Sequence, residues 1–183
     1  MYESMFGNTR ELAGEVMAGL VAAGAQVDMA EVVDTSDLDL STSDLLVLAA
    51  PTHALTLSRP ASRAEAVGRG AEPARAATGV REWLASMDVS MPASGRRPIV
   101  AVFDTRISKM RHMPGSAARS AAKILNKAGL TVVSRTSFYV DEINGPISPG
   151  EGERARLWGR KLASGATVPD DATYGGRVRV PGL

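Results

Sequence analysis

Cysteine is absent from the 183-residue sequence, and histidine occurs only twice, as His53 and His112. Without cysteine the chain cannot form disulfides within itself, use a thiolate nucleophile, or ligate a metal or an iron–sulfur cluster through sulfur. Because the two histidines lie far apart in the chain, the sequence does not indicate a structural zinc site either.

An excess of charge and a long apolar run are also missing. Lysine and arginine number 21 against 20 acidic residues, which gives a formal net charge of +1. We therefore expect binding neither to nucleic acid nor to a membrane. The longest apolar run, at residues 45–51, is far short of the ~20 residues that span a bilayer and has the length of a buried strand. The first residues show no signal-peptide pattern, so the expected location is cytoplasmic.

The composition is otherwise ordinary for a soluble globular domain, with 44% hydrophobic and 22% charged residues. The length is sufficient for one domain with a substantial core. We predict this domain over residues 1–165 and a polar, glycine-containing C-terminal tail over residues 166–183.

Apolar runs alternate with helical stretches along the domain. The periodicity predicts helices over residues 8–23, 79–87, 116–128 and 151–163. It predicts strands over residues 25–33, 44–50, 98–103 and 130–140. Strands that alternate with helices indicate a mostly parallel, doubly wound sheet, in which ligands bind beyond the carboxyl ends of the strands.

The segment at residues 4–9 (SMFGNT) leads into the first predicted helix. The first amides of a helix have no intrahelical acceptor, and the helix dipole favours an anion there. Ser4 and Thr9 add hydroxyl donors, and Asn8 adds an amide donor. Gly7 lets the backbone approach an anion closely. This pattern predicts a phosphate-binding loop without the lysine of a Walker motif, although the same residue types also cap helices and form turns.

Two further loops follow predicted strands at the same edge of the sheet. After Pro51, Thr52 can donate a hydrogen bond and His53 offers a flat ring that can stack or hydrogen-bond. After the next strand, Asp104 and Thr105 could meet the polar edge of a heterocycle. Each loop could instead be a strand-terminating turn, but the coincidence of three loops at one edge favours a shared ligand site.

In order and spacing, these loops resemble those of the flavodoxin family. YESMFGNT at residues 2–9 is similar to its phosphate loop, usually written Ser/Thr-x-Thr-Gly-x-Thr. APTH at residues 50–53 is similar to the loop on one side of the isoalloxazine ring, and FDTR at residues 103–106 is similar to the start of the loop on the other side. The resemblance implies an α/β fold, namely a three-layer doubly wound parallel sheet with strand order 2-1-3-4-5.

The resemblance also implies noncovalent FMN as the cofactor and electron transfer as the function, with a reductase or acceptor as the redox partner protein. It implies a phosphate site formed by Ser4, Met5, Phe6, Gly7, Asn8 and Thr9. It implies that the ring lies against Pro51, Thr52, His53, Asp104, Thr105 and Arg106.

The sequence departs from the family pattern at four points. Phe6 stands where the phosphate loop usually has threonine, the second and third loops lack Trp and Tyr, and the near-neutral charge differs from the strongly acidic electron carriers. Only three residues precede Ser4, where a first strand of about five is expected. We therefore expect a shortened first strand, either because the true start lies upstream or because this is a shortened copy.

Two other functions remain open at this point. Residues 54–78, a long connection rich in Ala, Arg, Gly and Pro, could build the substrate pocket of a flavin-dependent NAD(P)H:quinone-type reductase. The chain could also be a flavodoxin-like domain that has lost its cofactor.

A basic cluster follows the third loop and consists of Arg106, Lys109, Arg111 and His112. It is either a solvated loop or a docking site for an acidic partner or a second phosphate-bearing cofactor. The two tryptophans, Trp83 and Trp158, are predicted to pack in the core.

Overall fold

A computed structural model describes residues 1–34, 40, 42–87 and 97–165 of the chain. Within these ranges the helices are α1 (Asn8–Ala22), α2 (Pro60–Gly68), α3 (Val80–Ser86), α4 (Ala117–Lys127) and α5 (Glu151–Ala163). The strands are β1 (Leu45–Pro51), β2 (Ile99–Ile107) and β3 (Val132–Val140). Short 3₁₀ turns lie at Val32–Asp34, Pro73–Ala76 and Ser108–Met110. The predicted tail at residues 166–183 lies outside the described residues. Within the described residues, no helix is long and apolar enough to cross a bilayer.

The three strands form one parallel sheet in the order β1–β2–β3. Leu45 pairs with Ile99 at one end of β1, and Pro51 pairs with Thr105 at the other. The middle strand, β2, is buried over most of its length because helices cover both faces, and its apolar run is typical of such a strand. The parallel arrangement brings the carboxyl ends of the strands to a single edge, as predicted.

The backbone at Tyr2 lies alongside β1. Tyr2 forms single parallel bridges to Ala49 on one side and to Glu31 on the other. The prediction of a strand over residues 25–33 is wrong, since the only strand pairing in this segment is the single bridge from Glu31 to Tyr2. Alternating polarity is a local signal, whereas a strand also needs a partner along its length, and here the pairing is confined to Tyr2.

Helices pack on both faces of the sheet and create two main clusters of buried apolar residues. On one face, α1 and α5 bury Leu12, Val16, Leu20, Phe103, Phe138 and Trp158. On the other face, α3 and α4 bury Leu48, Val80, Trp83, Leu84, Val102 and Leu125. Both tryptophans are therefore core residues, which confirms that prediction.

Two glycines allow α1 and α5 to approach each other closely. A Cβ atom on Gly19 would lie 2.0 Å from the carbonyl oxygen of Arg156, and one on Gly159 would lie 2.2 Å from that of Val16. Both distances are far below van der Waals contact, so the two helices meet backbone to backbone. This contact fixes the position of α1, whose N-terminus carries the predicted phosphate loop.

Candidate functional site

The N-terminus of α1 presents backbone donors at the carboxyl edge of the sheet. Gly7 precedes the helix in a left-handed conformation, with a φ of 93° that favours glycine. The Ser4 hydroxyl accepts a hydrogen bond from the amide of Arg10 at 3.2 Å. The amides of Asn8 and Thr9 have no acceptor among the described residues. These two donors, together with the helix dipole, suit an anion.

Side chains of the same loop are tied to neighbouring segments. The hydroxyl oxygens of Thr9 and Thr105 lie 2.8 Å apart in a buried hydrogen bond. Since only one of the two hydroxyl hydrogens is used in that bond, the other remains available to a ligand. The Asn8 side-chain amide donates to the carbonyl of Ile143 at 3.3 Å. The loop is therefore held in place by its side chains and offers mainly its backbone to a ligand.

The loop after β1 makes a tight turn whose two central residues are not glycine. His53 and Thr56 exchange two backbone hydrogen bonds, each of 3.0 Å. Between them, Ala54 and Leu55 have positive φ angles of 45° and 64°, a conformation that costs about 1–3 kcal/mol for each such residue. Strained backbone of this kind persists only where the surroundings impose it, and it clusters at ligand sites.

The side chains beside this turn have defined partners. His53 Nδ1 lies 3.1 Å from the hydroxyl of Ser62 on α2. Burial lowers the pKa of His53, and the positive charge of Arg63 lowers it further. The imidazole is therefore neutral at pH 7 and can stack or hydrogen-bond without adding charge. Thr52 accepts a hydrogen bond from the amide of Ala117 at 2.9 Å, which connects the loop to the start of α4.

Asp104 does not begin a loop, because β2 continues to Ile107. The aspartate side chain is fully buried and accepts a hydrogen bond from the amide of Ala118 at 2.8 Å. Burial raises the pKa of its carboxyl group. Asp104 thus caps the N-terminus of α4 from inside the protein and does not line the ring site that the sequence suggested.

Arg106 is a buried cation at the end of β2. Its side chain is only 7% exposed. The guanidinium donates to the carbonyls of Met110 and Met113, the latter at 3.2 Å. Its Nε atom is buried and has no hydrogen-bond partner. The basic cluster predicted from sequence is therefore divided, because Arg106 is buried while the other members are exposed, namely Lys109, Arg111 and His112.

A cavity of about 290 Å³ joins the three loops. Predicted site residues that line it are Ser4, Phe6, Asn8, Thr9, Thr52, His53, Thr105 and Arg106. Four predicted residues lie outside the lining, namely Met5, Gly7, Pro51 and Asp104. Its volume lies near the lower end of the range of about 300–1,000 Å³ for ligand pockets. One site thus contains side chains that are distant in the sequence.

Several solved structures share this architecture. A flavodoxin from Archaea is similar at a TM-score of 0.57 and 17% identity, over 90% of this chain and 94% of that one. The flavodoxin of Megasphaera elsdenii is similar at a TM-score of 0.58 and 20% identity, over 89% of this chain and 96% of that one. A WrbA-like flavodoxin from Agrobacterium tumefaciens is similar at a TM-score of 0.50 and 16% identity, over 89% of this chain and 92% of that one.

This chain has a flavodoxin-like fold. No protein-family model and no curated protein matches the chain. At such low identities, the solved structures establish the fold alone. Of the five-stranded order expected for this flavodoxin-like fold, the described residues form three strands, and Tyr2 adds only single bridges beside β1.

The cavity of this flavodoxin-like domain also has a wall that the sequence did not reveal. It is formed by α2 and the residue that follows it, and consists of Ser62, Glu65, Ala66 and Arg69. Met110, Val140 and Ile143 line the cavity as well. The length of the connection at residues 54–78 signalled a contribution to a pocket, but its composition did not indicate which helix face would line it.

A larger cavity, of about 560 Å³, lies elsewhere in the domain. It is bordered by Tyr2, by residues 25–30 and by the start of β1. None of the predicted site residues lines it. The smaller cavity at the carboxyl edge is therefore the candidate functional site.

Proposed function

We propose that this chain binds FMN and transfers electrons to or from a redox partner protein. The observation that carries the proposal is the single cavity into which the N-terminal loop of α1, the turn after β1 and the end of β2 all project. Its position beyond the carboxyl ends of parallel strands is where open α/β sheets bind nucleotides.

The phosphate end of FMN fits the N-terminus of α1. The amides of Asn8 and Thr9 are available donors, and the Thr9–Thr105 hydroxyl pair has a spare hydrogen. Backbone amides at a helix N-terminus bind phosphate without a lysine, because the helix dipole contributes the favourable potential. Residues of this loop would therefore anchor the cofactor, even though Phe6 replaces one hydroxyl of the usual motif.

The ring end of FMN fits the remainder of the cavity. Phe6 and the neutral His53 supply flat surfaces, while Thr105 and Arg106 supply polar atoms. The buried Nε of Arg106 lacks an acceptor, and a carbonyl oxygen or ring nitrogen of a flavin would provide one. Bound FMN would supply one- or two-electron redox chemistry, and the protein residues would position it and exclude water.

Calorimetric titration of the flavin-free protein with FMN and with riboflavin tests this proposal. Riboflavin has the same ring and lacks the phosphate. We expect FMN to bind at least about 100-fold more tightly, since two charge-assisted hydrogen bonds contribute about 1.5 kcal/mol each. Absence of heat with FMN would show that the domain does not hold this cofactor, and equal affinities would exclude the phosphate site at α1.

A matched pair of substitutions locates the phosphate. Asn8→Asp adds a negative charge in the first turn of α1, where it is compatible with the helix but repels a phosphate. We expect FMN affinity to fall about tenfold or more, which corresponds to about 1.4 kcal/mol, with riboflavin affinity unchanged. Asn126→Asp makes the same change near the end of α4, where the side-chain oxygen accepts from the amide of Val132, and FMN affinity should not change.

A flavin-dependent NAD(P)H:quinone-type reductase is the second candidate. It is favoured by α2 and the residue that follows it, because Ser62, Glu65 and Arg69 line the same cavity and offer polar contacts to a substrate beside the ring. Steady-state oxidation of NAD(P)H with a quinone by the FMN-loaded protein separates the two functions. Turnover by this chain alone supports the reductase, whereas a carrier requires a separate reductase.

A further inference from the structure

The guanidinium of Arg106 is an ionic group with an unused donor inside the cavity wall. The residue is only 7% exposed, and its hydrogen bonds to Met110 and Met113 hold the side chain in one position. Its Nε is buried without a partner. A buried charged donor that lacks an acceptor is costly, so this position is suited to an electron-rich ligand group.

Other charges of the cavity do not cancel that of Arg106. Glu65 on α2 and Arg69 just after its end are exposed to solvent and of opposite sign, and their charges are therefore screened. His53 is neutral at pH 7, because its burial lowers its pKa. Asp104 lies two residues before Arg106 on the same face of β2, but its carboxyl group is fully buried, accepts from the amide of Ala118 and does not line the cavity. Among the described residues that line the cavity, Arg106 is thus the buried cation.

The alternation of β2 directs Arg106 to the face of the sheet opposite to the one on which α1 packs. Successive side chains of a strand point to opposite faces. Thr105 points towards α1, where its hydroxyl contacts that of Thr9 at 2.8 Å. Arg106 points towards the other face, together with Asp104, which caps α4. Since Arg106 and the loop before α1 line the same cavity, the ring of a nucleotide whose phosphate lies at α1 would have Arg106 within the site that it occupies.

We infer that Arg106 makes the site prefer reduced over oxidised flavin, by placing a fixed positive charge beside the ring. A flavin that has taken up two electrons and one proton carries one negative charge on its ring, whereas the oxidised ring is neutral. Charge close to the ring is one of the means by which a protein tunes a flavin. This inference rests on the proposed FMN site.

The potential of the bound cofactor in the wild-type protein gives the first test. The FMN-loaded protein is reduced with dithionite in the presence of a reference dye at pH 7, and free FMN is measured alongside. We expect reduced FMN to bind about tenfold more tightly than oxidised FMN, which raises the two-electron midpoint potential by about 30 mV. A bound potential equal to or below that of free FMN overturns the inference while leaving the FMN site intact.

Substitutions at Arg106 assign the effect to this residue. Arg106→Gln should remove the preference for reduced FMN, whereas Arg106→Lys should retain most of it because the charge is kept. Lys109→Gln is the matched control, since Lys109 is exposed and pairs with Glu142 outside the cavity. An unchanged potential in Arg106→Gln, or an equal fall in Lys109→Gln, contradicts the role of Arg106. Failure of the wild-type protein to bind FMN in calorimetry removes the site and the inference together.

Discussion

Asp104 shows how burial determines the role of a polar side chain near this site. Its carboxyl group is fully buried, one oxygen accepts from the amide of Ala118, and the other has no hydrogen-bond partner. Burial disfavours the charged form and raises the pKa. The residue therefore contributes to the attachment of α4 while carrying an electrostatic cost at neutral pH.

This cost predicts the pH dependence of an Asp104→Asn variant. Because the pKa is raised in the folded protein, the contribution of Asp104 to stability is complete below its unfolded pKa of about 3.9 and is lost as the pH rises through the folded pKa. Asparagine does not ionise and can still accept from Ala118. We therefore expect the free energy of unfolding of Asp104→Asn to improve relative to the wild type as the pH rises from about 4 to 8.

Urea unfolding across this pH range measures the difference. Asp28→Asn, at an exposed position, serves as the control and should follow the wild type. Parallel stability curves for Asp104→Asn and the wild type would show that Asp104 does not carry this cost.

At the scale of elements, the contact between α1 and α5 positions the predicted phosphate loop. Gly19→Ala would place a methyl group 2.0 Å from the carbonyl oxygen of Arg156, and backbone cannot yield as a flexible side chain does. We expect a loss of about 3 kcal/mol or more in the free energy of unfolding. Gly14→Ala, in the same helix with no atom within 4 Å of its Cβ position, should instead stabilise the protein by up to about 1 kcal/mol.

Chemical denaturation of both variants checks this prediction. A gain in stability for Gly19→Ala as large as that for Gly14→Ala would mean that helix propensity, and not the close approach of the two helices, dominates at Gly19.

The helices and strands also show which sequence patterns were sufficient to predict the bounds of an element. Helix α5 occupies the predicted residues 151–163 because its apolar period and its acidic first turn agree. Strand β2 extends beyond its predicted end since Asp104 and Arg106 find partners inside the protein, which no local pattern reveals. The predicted strand at residues 25–33 failed because strand formation depends on pairing that is distant in the sequence.

For the whole molecule, the topological rule for parallel sheets predicted more of the site than any single motif did. Three loops, each with an ordinary alternative interpretation, lie at one edge because the strands between them are parallel. Which face of α2 lines the cavity could not be predicted, since the place of this helix against the predicted phosphate loop depends on a small cluster of Met5, Ala66 and Ala71. The low aromatic content gave little indication of the flat side chains in the cavity, which are those of Phe6 and His53.

The central claim is that FMN binds in the cavity of about 290 Å³ at the carboxyl edge of the sheet. Two-dimensional ¹⁵N–¹H spectra recorded during an FMN titration test it most directly. We predict the largest shifts at amides 6–10, with further shifts at 52–55 and 106–110. Shifts confined to residues 25–30, which border the cavity of about 560 Å³, with amides 6–10 unchanged, would contradict the account.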